Sequence, residues 1–218
     1  MDSASLASAQ SFLDILYEKG ATKKIKALAI KGICDLVDQA TMRTSDHRDK
    51  KFGSMLSIYL VETKWYDGVD KLFDKLCRHC TEMMAFPEID EFIFKCLKSG
   101  SDAKIMWIIR NIKKNGLLSN KVQDFLIDIL HSSGNQDIRM AIIDTLKDES
   151  KNPQVIEGLK LICLKTVNYP LSMAGISALN HMATKESLAA AKEILDAQSN
   201  LENLRGFAYG LLNEVKQS

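Results

Sequence analysis

Apolar residues in this chain recur three and four apart almost from end to end, and that spacing restricts it to helices. Twelve such segments can be followed. The first runs from a cap at Ser3 or Ser5 through Phe12, Ile15 and Leu16 to Gly20. The second starts at Thr22 and carries Ile25, Leu28, Ala29, Ile30, Ile33 and Val37 as its apolar stripe. The third covers about Lys51 to Thr63, the fourth opens at Trp65, and the fifth starts at Pro87 and stops at Gly100. Ser101-Asp102 caps the sixth and Ser119 the seventh. The eighth carries Ile138, Ile142, Ile143 and Leu146. The ninth starts at Asn152-Pro153, the tenth at Pro170, the eleventh near Lys185 and the twelfth near Leu201. Val, Ile and Thr nowhere alternate with polar residues over a useful length, so no strand is expected.

Short links between so many helices suggest paired hairpins and a repeat. The even-numbered helices align on Ile33, Leu76, Ile112, Leu146, Leu179 and Leu211, and the last four steps are close to one period. The first step is longer because it contains the polar stretch Thr41 to Lys51. Three and four residues before each anchor, nearly every position is apolar or small. The expected fold is therefore all-α: about six antiparallel helix pairs stacked into a HEAT-like solenoid, a single domain over residues 1–218.

Composition fits that expectation. The chain has 218 residues, 46% hydrophobic and 26% charged, which is ordinary for a globular domain. Three prolines and 11 glycines leave little room for long loops. A net charge of +1 rules out a generally basic nucleic-acid coat, though not a basic face. Five cysteines without framework spacing suggest reduced thiols in a cytoplasmic or nuclear protein. The polar start, Met1 to Gln10, does not read as a secretion signal, and no apolar run is long enough to cross a membrane.

In such a stack the second helices line the concave side, so one flank of each is functional surface. The register places there Lys23, Ala27 and Lys31; Tyr66, Asp70 and Asp74; Asp102, Met106 and Arg110; and Gln136, Met140 and Asp144. Tyr169, Met173 and Ser177, then Leu201, Arg205 and Tyr209, complete it. This mixture suits a ligand with flat apolar faces and phosphates, or an ordinary protein partner. Within it, Tyr66 and Asp70 lie one turn apart beside Trp65, so an aromatic face with a carboxylate above it can receive a developing positive charge. The plainer reading is an amphipathic helix with a half-buried tyrosine and a solvated aspartate.

Other motifs carry less. Cys77-Arg78-His79-Cys80 has zinc-ligand spacing but no second ligand pair at short range, and no βαβ context for redox chemistry. The four histidines are scattered, and no glycine-rich phosphate loop or nucleophile elbow is present. Neither metal nor cofactor is expected. The basic group Arg43, His47, Arg48, Lys50 and Lys51 reads as a solvated link or a phosphate contact.

The segment Val61 to Asp70, VETKWYDGVD, runs into a repeat's second helix and resembles the T-K-x-W-W-D-x-V-D segment of AlkD-type DNA alkylation repair glycosylases. Leu130-His131-Ser132-Ser133, leading into the eighth helix, is a second echo. The resemblance in register covers most of the chain; the specific matches are confined to these two stretches. It implies a monomeric HEAT-like solenoid that holds duplex DNA in its concave cleft. The implied reaction is release of cationic alkylated purines such as 3-methyladenine or 7-methylguanine. Tyr66 and Asp70 would then flank the lesion's sugar, with Asp70 stabilising oxocarbenium-like charge; such a base is already cationic and leaves without a general acid. Trp65, Lys23, Lys31, Arg110 and Arg205 are the expected nucleic-acid contacts. Two positions depart from the family: Asp144 stands where it has a cleft tryptophan, and Ile108 where it has a phosphate-binding arginine. Binding without chemistry is thus a second expectation. A non-catalytic HEAT scaffold with a protein partner on its concave face is the alternative from another class. A tubulin-binding array ranks below both, since Gly20 to Lys24 supplies its lysines but no tryptophan.

Overall fold

The computed structural model describes residues 3–38, 47–62, 69–79, 87–98, 101–149 and 152–197, and among these every regular element is an α-helix. The first five are α1 (Ser3–Tyr17), α2 (Lys23–Asp38), α3 (His47–Glu62), α4 (Val69–His79) and α5 (Pro87–Lys98). Then come α6 (Asp102–Asn115), α7 (Asn120–Ser132), α8 (Gln136–Leu146), α9 (Pro153–Lys165), α10 (Tyr169–Met182) and α11 (Lys185–Ala197). The expected twelfth helix, its anchor Leu211 and the opening of the fourth at Trp65 lie outside the described residues.

Local chemistry sets most of the helix starts. An N-terminal turn leaves backbone N–H groups without partners, and a short polar side chain just before it accepts from them. The Ser119 hydroxyl accepts from Val122 N–H at 3.2 Å, and the Asn135 carbonyl from Asp137 N–H at 2.9 Å. Asn152 and Asn168 do the same for α9 and α10. Ser101 differs from expectation: it occupies the cap position of α6, yet its side chain accepts no capping bond. The third helix also begins at His47, earlier than expected. Its first turns carry no apolar stripe, so periodicity hides a start that charged residues tolerate well. At the other end of α6, Gly116 takes a left-handed conformation (φ 64°) that a side chain would strain, and the chain turns out of the helix there.

The chain forms two compact units, Met1–Lys98 and Ser99–Ser218. In the first, α1 packs on α2 and α3, α2 on α4, and α3 on α5. In the second, α6, α8 and α10 form one row and α7, α9 and α11 another; α7 packs on α8, and α9 and α11 both pack on α10. Packing of each helix on the next but one is consistent with an α-solenoid. Ile33, Leu76, Ile112, Leu146 and Leu179, the five anchors among the described residues, are all fully buried.

One part of the expected core is not core. Ile25 and Leu28 belong to the apolar stripe of α2 by spacing, but they are 45% and 61% exposed. Ile30, Ile33 and Val37 take the buried face instead, and Leu28 lies across the helix from Ile30.

Candidate functional site

The even-numbered helices of the second unit present the surface that the register assigns to the concave side. All nine assigned side chains on α6, α8 and α10 reach solvent. Asp102, Arg110, Gln136, Asp144, Tyr169 and Ser177 are exposed, and Met106, Met140 and Met173 are half-buried. Each methionine falls between two exposed positions one helical turn away on either side. The three therefore make an apolar column bordered by two polar rows, one rung per helix.

Polar bonds between successive rungs tie the rows together. Asn135 Nδ2 donates to Asp102 Oδ2 at 2.6 Å, and Asn168 Nδ2 donates to Gln136 Oε1 at 3.0 Å. The same two asparagines cap α8 and α10 with their carbonyl oxygens, so each side chain starts its own helix and fastens it to the one before. The partners stand 33 and 32 residues apart, close to the sequence period. Near the C-terminal ends of these helices, His181 Nε2 meets Asp148 Oδ1 at 2.8 Å across 33 residues. These asparagines are absent from the expected site, although their recurrence just before a helix start is visible in the sequence. Gln123 is a buried counterpart on the other row. It donates to Glu149 Oε2 at 2.9 Å and to Leu118 O at 3.1 Å, and it accepts from Asn152 at 2.7 Å.

Charge on this surface is largely self-compensated. Asp144 is held by Lys113 and, at 2.9 Å, by Lys147. Hydrogen bonds from Lys113 first and then Lys147 keep the Asp144 carboxyl below its usual range, so it stays ionised but neutralised. Lys113 and Lys147 are thereby engaged. Arg110 is exposed and has no ion pair among the described residues.

The first unit carries the remaining expected contacts. Lys23 and Lys31 are exposed on α2. Asp70 is half-buried in the first turn of α4, and Asp74 is half-buried one turn later. Trp65, Tyr66 and Arg205 lie outside the described residues, so the expected juxtaposition of Asp70 with its two aromatics does as well. Among the described residues no group of three or more His, Cys, Asp and Glu side chains is arranged to hold a metal ion. Cys77 of the C-x-x-C pair is half-buried and is in no disulfide, and Cys80 is outside the described residues. Burial of His131, followed by the nearby Lys165 and Arg139 charges, lowers its pKa and favours the neutral ring. No described helix is long and apolar enough to cross a membrane. Compared with known proteins, the chain matches no family model, no curated protein and no solved structure.

Proposed function

We propose that this chain is a HEAT-type helical-repeat binding protein, its helices stacked as antiparallel pairs, that holds a protein segment along α6, α8 and α10. The column of Met106, Met140 and Met173 carries the reading. Three half-buried, unbranched thioether side chains at one register, between polar rows, give an adaptable apolar track for a peptide. Neutralisation of Asp144 by two lysines supports a polypeptide over a polyanion, because phosphates need unengaged cations. The test is selection of peptides from a random displayed library on the immobilised chain. Selected peptides should lose roughly tenfold or more in affinity on Met140→Glu, a change at a half-buried surface position. Peptides that bind Met140→Glu and Met106→Glu unchanged would overturn the reading.

Duplex DNA is the second reading, and it rests on the exposed, unpaired Lys23, Lys31 and Arg110 together with the AlkD-type resemblance. Affinity for duplex DNA should then fall steeply with salt. If chemistry accompanies binding, Asp70→Asn should slow release of methylated purine by roughly a hundredfold while leaving affinity nearly unchanged. Binding without base release leaves a DNA-binding protein, and no binding at low salt removes this reading.

A further inference from the structure

The exposed Ile25 occupies a register position whose counterparts in α8 and α10 are buried, and Leu28, almost one turn further on, is exposed beside it. Thr22 caps α2, its hydroxyl accepting from Ile25 N–H at 3.3 Å, as Asn135 and Asn168 cap α8 and α10. Three residues after those caps stand Ile25, Ile138 and Leu171. Ile138 and Leu171 are each 1% exposed. They lie on the side that faces the preceding even helix, because Asn135 reaches back to α6 and Asn168 back to α8. In α2 the equivalent side is its leading edge. Phe12 of α1 covers it at Gly32, where a Cβ would overlap the ring, but Ile25 and Leu28 stay open. This edge carries Ile25 and Leu28, and Ile25 stands where α8 and α10 bury their counterparts.

Charge specifies the neighbour. Lys23, Lys24 and Lys31 are exposed on α2, Lys26 is half-buried, and none has an ion pair among the described residues. Lys24, Leu28 and Lys31 share one ridge. The carboxylates of α2 itself are fewer: Asp35 is exposed, and Asp38 is taken up by Lys75. A second copy presenting the same edge would set lysine against lysine. Phosphates would satisfy the lysines but leave the aliphatic side chains uncovered, and two such side chains are too few to hold a membrane surface. We propose that the leading edge of α2 docks an amphipathic helix of a protein partner, with apolar residues over Ile25 and Leu28 and acidic residues facing the lysines. The site is separate from the methionine column.

The experiment uses the whole chain and a displayed library of helical peptides with a fixed apolar i, i+3, i+4, i+7 stripe and randomised flanks. Peptides whose binding falls roughly tenfold or more on Leu28→Glu should be enriched in Asp and Glu at the flanks. The same peptides should weaken on Lys24→Glu and be unaffected by Met140→Glu, which tests the other surface. Leu28→Glu and Lys24→Glu change exposed positions, and circular dichroism checks that all three variants remain helical. Leu28-dependent peptides with neutral or basic flanks overturn the proposal, as does a library that yields none. Leu28-dependent binding of duplex DNA or phosphatidylserine vesicles, or a Leu28-dependent dimer, overturns it in favour of that occupant.

Discussion

Gly175 lies in α10 where an added Cβ would overlap Cys163 Sγ on α9. Cys163 is fully buried, and burial pushes its thiol up to about 12, so it stays protonated at neutral pH and acts as a small packing group. Its Sγ lies 3.7 Å from Ser172 O, which fixes its direction. Gly175→Ala should therefore destabilise by about 1–3 kcal/mol, despite alanine's better helix propensity. In a Cys163→Ala background the obstruction is gone, and the same change should be neutral or stabilising by up to about 1 kcal/mol. A double-mutant cycle from urea unfolding measures the coupling; additivity within about 0.5 kcal/mol would refute the packing account. At this scale the sequence was legible where periodicity alone decides. The five described anchors are buried as their spacing requires. Ile25 and Leu28 were not legible, because spacing identifies an apolar face and not whether a neighbour covers it.

Asn135 and Ser101 separate a capping residue that works from one that only occupies the position. Asn135 accepts two backbone bonds at the start of α8 and donates to Asp102. Ser101 has the extended backbone of a cap and no side-chain bond to the helix. Asn135→Ala should cost about 1–2 kcal/mol, whereas Ser101→Ala should stay within about 0.5 kcal/mol. Thermal or urea unfolding of the two variants tests this, and equal losses would contradict it. Capping residues were readable from sequence as types: Ser119 and Asn152 were expected at helix starts and make their bonds. Which neighbour a cap's second hydrogen bond reaches depends on how helices stack, and local sequence carries no record of that. Trp65 and Tyr66, the sharpest part of the expected site, stand outside the described residues, so only Asp70 of that group has a described place.

Across the second unit, rungs recur at near-constant intervals, and the cross-links Asp102–Asn135, Asp148–His181 and Lys160–Glu193 each span 33 residues. Each helix depends chiefly on its immediate neighbours, so the unit is close to a one-dimensional stack. The sequence register anticipates this interval, but not the polar side chains that enforce it. The spacing acts as a ruler for editing the chain. Deleting residues 136–168 would join Asn135 directly to Tyr169, leaving Asn135 to cap α10 and to keep its bond to Asp102. Such a shortened chain should remain helical with a cooperative, lower melting transition by circular dichroism. Deleting residues 136–152 removes one helix instead of a pair, puts an odd helix where an even one belongs, and should abolish cooperative melting. Length in this architecture is thus a variable with a fixed step: the chain can gain or lose reach along its surface one rung at a time without redesigning the rungs that stay.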